Sequence, residues 1–296
     1  MSGRMISALL SAVATAALLN IPGAQAQSGM ALAGTVTSAQ EGAMEGVIVS
    51  AKKEGGHITI SVVSDEKGHY AFPADRLEPG HYDIKIRAIG YIADNRPEAD
   101  VASGKTTNLD LKLDKTNNIA PQLTSAEWLA SMPGTDEQKA FLQDCTTCHT
   151  LIRPLSSGFT AEDFEKIIPR MGTYAPGSQP QRPQKLLPGP RGNRGIVDAA
   201  KVKAAAEYLA SVNLSKDETW KYPFVTFPRP KGRATHVIYT SYDLPRVEAM
   251  PHDVILVNGK VYFSDFGSQF IGEMDPATGK VIDHPVQVLK PDEPKG

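Results

Sequence analysis

The 296-residue sequence predicts a multidomain chain: an all-β sandwich first, an α-helical domain next, and a closing stretch of strands amounting to a single small sheet. Three observations predict it. Apolar residues alternate with period two from Ala31 to Leu113, take the helical period between about 126 and 214, and alternate again beyond Gly232. Both changes of period fall at polar, turn-rich stretches without periodicity, "DKTNNIAPQLTS" (114–125) and "SKDETWKYPFVTFPRPKGR" (215–233), which read as linkers. The length suits two or three domains of roughly 100 residues each.

In chain order, the first element is a targeting segment, residues 1–26. Arg4 supplies a positive start, Ile6 to Leu19 form an apolar run, and Ala24-Gln25-Ala26 is a small-x-small cleavage site. The run is shorter than the roughly 20 residues a membrane span needs. The mature chain is therefore expected to start at Gln27, exported to the periplasm or beyond, with no membrane span. With 31 Lys and Arg against 33 Asp and Glu, the charge balance favours neither nucleic acid nor a membrane surface as partner.

Residues 27–116 carry the first strands. "HYDIKIRA" sets Tyr82, Ile84, Ile86 and Ala88 on one face and Asp83, Lys85 and Arg87 on the other; "TNLDLKL" repeats this with Leu109, Leu111 and Leu113. Turn signals in "EGAMEG", "SDEKGH" and "LEPGH" separate the runs, and the spacing predicts a small antiparallel sandwich. The succession "LAGTVT", "EGVIVSAKK", "SDEKGHYAF" and "LEPGHYDIKIRAIGY" resembles the carboxypeptidase regulatory-like family, an immunoglobulin-like or transthyretin-like sandwich. That resemblance implies an accessory or interaction module and no peptidase, in keeping with the lack of any His-x-x-Glu pair in the sequence. His57, His69 and His81 each lie beside glycine near a strand end and read as loop histidines, not metal ligands.

Residues 117–215 read as helices. Thr135-x-x-Gln138 is a capping box opening a helix through "EQKAFLQDCTTCHT", and Thr160-x-x-Asp163 opens "AEDFEKII", stopped or kinked at Pro169. "VDAAKVKAAAEYLASVN" is rich in strong helix formers, with Val202, Ala205, Ala206, Leu209 and Val212 in one stripe.

The only two cysteines stand in "QDCTTCHTL", three apart and followed by a histidine. A disulfide across so short a loop stabilises little, because the effect grows with loop length. A zinc site would need a second ligand pair, and a redox Cys-x-x-Cys usually follows a strand. Cys145-x-x-Cys148-His149 is the attachment pattern of c-type haem: on one helical face both sulfurs meet the vinyl groups, and the imidazole meets the iron. With its flanking helices, the segment resembles the cytochrome c family, whose fold crosses a motif-bearing N-terminal helix with a C-terminal one. The resemblance implies one covalent haem c and a distal ligand, commonly methionine. Met171 is the methionine available between His149 and the end of the domain. It is the expected second iron ligand, the alternative being a core residue on the face of Phe164, Ile167 and Ile168. The Pro154 carbonyl is an expected acceptor for the other His149 nitrogen. The segment 173–195 carries Arg182, Lys185, Arg191 and Arg194 with no acidic residue, a candidate docking surface for a redox partner.

Residues 233–296 hold "THVIYT", "DVILV", "KVYFSDF", "FIGEMD" and "KVIDHPV", with turns at Asn258-Gly259 and from Asp275-Pro276 to Gly279. The stretch "MPHDVILVNGKVYFSDFGSQFIGEMDPATGKVIDHPV" resembles about one blade of virginiamycin B lyase-like β-propellers. Propellers close with about four to eight blades, so lyase activity is not carried over, and His252 and Asp253 read as blade residues. Val254, Leu256, Val261, Phe263 and Ile271 are expected to form an apolar face with nothing available to cover it.

These readings predict an exported c-type cytochrome that transfers single electrons to and from a redox partner protein, with no catalytic residues of its own. The alternative is a fragment of a longer propeller enzyme, a lyase or an oxidoreductase, whose haem domain is an electron conduit. Whether the chain is an enzyme stays open at this point.

Overall fold

The computed structural model describes residues 29–175, 178–185, 198–215, 220–265 and 269–287; the leader lies outside the described residues. Ten strands come first: β1 (Met30–Ser38), β2 (Gly42–Ala43), β3 (Ile48–Lys53), β4 (Ile58–Val63), β5 (His69–Pro73), β6 (Gly80–Arg87), β7 (Tyr91–Ala93), β8 (Glu98–Val101), β9 (Thr107–Asn108) and β10 (Leu111–Lys115). They form two sheets. In one, β1 pairs with β2, β5, β9 and β10, and β10 pairs with β7; the other contains β4-β3-β6-β8 in that order. The alternation read from "HYDIKIRA" is the packing rule, since Tyr82 and Ile84 are buried while Asp83 and Lys85 face out. Leu32, Val36, Val49, Phe72, Ile84 and Leu113 lie between the sheets in one core.

The sandwich is not antiparallel throughout. The first and last strands run parallel, Val36 opposite Leu111 and Ser38 opposite Leu113, and β9 also runs parallel to β1. At the break between β9 and β10 the Asp110 carboxylate accepts from the Thr35 amide (2.8 Å) and hydroxyl (2.7 Å), replacing the missing ladder bond.

Among the described residues, six helices follow: α1 (Ser125–Ser131), α2 (Asp136–Lys139), α3 (Leu142–Cys145), α4 (Ile152–Leu155), α5 (Ala161–Met171) and α6 (Ala199–Val212). The α6 stripe of Val202, Ala205, Ala206, Leu209 and Val212 is buried. It packs with Trp128, Leu142, Leu151, Leu155 and Phe164 in a second core. Pro169 does not stop α5, which continues to Met171. The proline removes one donor, and the Gly172 amide resumes the ladder on the Ile168 carbonyl at 3.3 Å.

Neither linker is free. In 114–125, β10 extends to Lys115, a 3-10 turn forms at Ala120–Gln122, and Ile119, Ala120 and Leu123 are buried. The Gln122 amide accepts from the Gly90 N–H (2.7 Å) and donates to the Tyr91 carbonyl (3.0 Å), joining the helices to the sandwich. Thr124-x-x-Glu127, inside the supposed linker end, is itself a capping box. The described part of the later stretch, from residue 220, is a strap laid along α1. Pro223, Pro228 and Pro230 keep it extended and remove donors. Two of its remaining donors meet α1 side chains, Val225 on the Ser131 hydroxyl (2.8 Å) and Phe227 on Glu127 (3.2 Å).

The strand read from "THVIYT", β11 (Ile238–Tyr242), differs in partnership from the expectation that grouped it with the C-terminal strands. It pairs antiparallel with β4, Ile238 opposite Val62 and Tyr242 opposite Ile58, making a five-stranded second sheet. The free edge of β4 offers a full ladder, and the Arg229–Glu41 and Lys52–Asp243 ion pairs hold the segment at both ends.

The last strands, β12 (Pro251–Val257), β13 (Lys260–Asp265), β14 (Phe270–Met274) and β15 (Val281–Pro285), form an antiparallel meander. Asn258 and Gly259 turn the first hairpin with φ of 49° and 76°, values that the Asn-Gly pair tolerates. Gly272 sits under the Phe263 ring, where a Cβ would come within 2.0 Å of the ring edge. No closed propeller is formed by the described residues, although the meander is not left wholly uncovered, as the sequence suggested. The Tyr242 hydroxyl of β11 donates to the Pro276 carbonyl (3.0 Å), and Gly279 lies against Ile58. The sheet thus rests its β14–β15 turn on the sandwich, while β12 stays outside, with Val254 72%, Ile255 62% and Leu256 67% exposed. Of the expected apolar face Phe263 alone is fully buried. Leu256→Lys should therefore change unfolding free energy by less than about 0.5 kcal/mol while reducing self-association of the chain, checked by urea unfolding and sedimentation velocity. A large loss of stability would show that β12 is covered in solution.

Candidate functional site

The cysteine motif sits where two short helices end. The helix expected through 136–150 is broken into α2 and α3, with Ala140 and Phe141 between them. Thr135 and Gln138 form the expected capping box at its start. The helix stops at Cys145 because Thr146 and Thr147 turn their hydroxyls back onto the Gln143 (2.7 Å) and Asp144 (2.8 Å) carbonyls, competing with the backbone ladder. The His149 amide still reaches the Cys145 carbonyl, loosely, at 3.4 Å. Cys145, Cys148 and His149 consequently lie on one turn at the helix end, not on a continuous helical face.

Both thiols are half-buried and unbonded to each other. Cys145 packs against the helical core, its sulfur 3.9 Å from the Phe141 carbonyl. Burial pushes its thiol up to about 11, helped by the Asp144 charge. A redox-active Cys-x-x-Cys needs a thiolate stabilised near neutral pH. Cys145 is shifted in the opposite direction.

The His149 Nδ1 lies 3.0 Å from the Thr150 carbonyl. A carbonyl only accepts, so this contact puts the proton on Nδ1 and leaves Nε2 with its lone pair. The expected acceptor, Pro154, is engaged elsewhere: its carbonyl accepts from the Ser157 hydroxyl (2.8 Å) and the Asn213 amide (2.9 Å). Asn213 was missed by the sequence reading. It is buried at the end of α6, donates also to Ser157, and accepts from the Ser215 amide (2.6 Å), tying the loop after the motif to the last helix. An asparagine closing a long helix was the available signal.

Near the motif, Phe141 meets the Tyr208 ring of α6 edge to face, 6.1 Å between centroids, and the Tyr208 hydroxyl donates to the Pro133 carbonyl at 2.9 Å. The N-terminal and C-terminal helical segments therefore touch, through aromatic side chains. The dominant neighbour of α6 is α5. Met171, the last residue of α5, is 40% exposed while Phe164 is buried, so the structure sets it apart from the core it could have filled.

Among the described residues, no three His, Cys, Asp or Glu side chains converge as a metal-holding group. His81 is held between Asp100 (2.8 Å) and Glu98 (3.4 Å), and the Asp100 hydrogen bond raises its pKa. His69 faces Asp65 at 3.7 Å. His252 pairs with Asp253 at 2.9 Å on the exposed β12. In the basic stretch, Arg182 and Lys185 occupy isolated bridges, to Gln179 and Tyr174 respectively, and Arg191 and Arg194 lie outside the described residues. No helix among the described residues is long and apolar enough to cross a membrane.

Residues 31–114 match the family described as carboxypeptidase regulatory-like domain. No curated protein matches the chain. Among solved structures, the Bacillus anthracis TIE protein is similar at 22% identity and a TM-score of 0.25, over 29% of this chain and 16% of that one. The chain thus spans a small part of that protein's length. The N-terminal sandwich, strands β1 to β10, is a carboxypeptidase regulatory-like domain.

Proposed function

We propose that the chain is an exported c-type cytochrome that transfers single electrons. The carrying observation is the turn that brings together two unpaired thiols, Cys145 and Cys148, and an imidazole whose Nδ1 is engaged by the Thr150 carbonyl. That donor set fits a c-type haem: two thiols to hold it by thioether bonds, and one free Nε2 to ligate the iron. The bound haem supplies reversible one-electron chemistry; the protein sets its potential through ligation, burial and neighbouring charge. Cys145 anchors it against the helical core, and Asn213 steadies the loop that follows His149.

Met171 is the proposed second ligand, and its exposure at the end of α5 is what supports it. A thioether favours ferrous iron and raises the potential. Met171→Ala should lower the potential and remove the weak sulfur-to-iron band in the near infrared, with the haem still attached. A spectrum untouched by that change assigns the distal position to another group.

The export leader places the protein in the compartment where its haem is attached, and Arg182 and Lys185 belong to the surface offered to an acidic redox partner. The sandwich serves as an accessory binding module. The test is a haem-stained gel with a reduced-minus-oxidised spectrum of the exported protein; an unstained band without α and β absorption maxima ends the reading.

A further inference from the structure

A cleft of about 530 Å³ lies on the outer face of the sandwich, well removed in sequence from the cysteine motif. Its floor follows from strand register. Across three adjacent strands Ala71 stands beside Ala33, and Ala33 beside Asn108, while His69 stands beside Thr35. Leu32, Val36, Tyr70 and Phe72 of the same strands point into the core, so the small residues Ala33 and Ala71 face outward and leave a depression. The 3-10 turn at Gly232–Thr235 and His236, carried there by the strap before β11, form a wall.

The cleft holds two carboxylates, Asp65 and Asp110, and neither lysine nor arginine lines it. Asp110 is kept ionised: its pKa is lowered, most by the Thr35 hydrogen bonds. Asp65 is fixed in place by the Lys67 and His69 amides, both at 2.8 Å on one oxygen. Asn108, Thr35 and the imidazoles of His69 and His236 add further polar groups around an apolar floor. Two fixed carboxylates over a methyl-lined floor form a receptor for a cation with an aliphatic stem.

We infer that this cleft binds the lysine or arginine side chain of a basic peptide or protein segment, a recognition site separate from electron transfer. It uses the sandwich together with the chain that returns from the helical domain, so it is present only when β11 is docked on β4. Binding steers an extended basic partner to the sandwich, through lining residues none of which belongs to the cysteine motif.

Isothermal titration of the exported full-length chain with N-acetyl-arginine amide, and with a short arginine-containing peptide, tests this. Saturable binding that weakens by about tenfold or more in Asp110→Asn is expected, with N-acetyl-glutamine amide not binding. Because Asp110→Asn alters a bond to Thr35, Asp65→Asn and His236→Ala serve as second and third variants, each checked for an unchanged melting temperature. No saturation with either cation, equal binding by the neutral amide, or affinity unmoved in all three correctly folded variants overturns the inference. Haem content and spectrum should be the same in wild type and variants, so failure here is distinguishable from failure of the cytochrome reading.

Discussion

Exported with its leader and extracted with acid and acetone, the wild-type chain should keep one haem, and Cys145→Ser, Cys148→Ser should keep none. The two substitutions replace half-buried sulfurs with oxygens of similar shape, and neither thiol takes part in a disulfide whose loss would unfold the domain. The effect is all-or-none because a serine hydroxyl forms no thioether with a vinyl group. His149→Ala separates attachment from ligation: the covalent mass increment should persist while the low-spin spectrum is lost. A mature mass equal to the bare polypeptide in the wild type would sink the proposal outright. So would a mass increment that survives the double serine variant.

Glu127→Ala should be the most damaging single change away from the cysteines. This carboxylate is 2% exposed, and its two oxygens accept from four groups on three parts of the chain. Thr124 donates through its amide and its hydroxyl, both at 2.9 Å, closing the start of α1. The Phe227 amide donates from the strap (3.2 Å), and Arg87 reaches over from the sandwich (3.4 Å). Removing the acceptor leaves the Thr124 and Phe227 donors unsatisfied and deletes a cap, a loss of about 2–4 kcal/mol. Burial pushes the Glu127 pKa up, but the Thr124, Phe227 and Arg87 contacts outweigh it and the net shift is downward. Its folded pKa is therefore below the unfolded one. The contribution is complete above the unfolded value of about 4.3 and disappears as pH falls through the folded value. Glu127→Gln should accordingly flatten the acid limb of a stability-versus-pH curve measured by urea unfolding. Midpoints within error of wild type for both variants would show that the three contacts add nothing net.

Periodicity made the sandwich and the long helix legible, because alternation and the 3.6-residue stripe are properties of single segments. Tyr82 and Ile84, or Val202 and Leu209, declare their inward face without reference to anything else. Long-range partnership is not written that way. The alternation in "THVIYT" says strand, but only the open edge of β4 decides that β11 belongs to the sandwich. The linkers misled for a related reason: "TSAE" hid a capping box behind polar composition, and the proline-containing strap read as a linker when its prolines enforce extension against α1. At the cysteines, spacing suggested a donor set, but the end of the helix at Cys145 depended on two threonine hydroxyls bonding backwards, a competition that propensity alone does not rank.

The docking of β11 changes what a domain boundary means in this chain. A sheet whose outer strand is contributed by residues 238–242, after its other four strands have ended at Val101, encloses the entire helical segment between two of its own strands. The helical unit is topologically an insertion in the sandwich. As the chain is synthesised, the N-terminal strands emerge first yet cannot acquire their edge partner until more than a hundred further residues have followed, so the contact order of this small sheet is high and its completion comes late. The cysteine motif thus emerges before the sheet that flanks it in sequence is finished. On the cytochrome reading proposed above, that interval would let haem be attached to an open chain, before closure of the sheet fixes the chain on both sides of the motif.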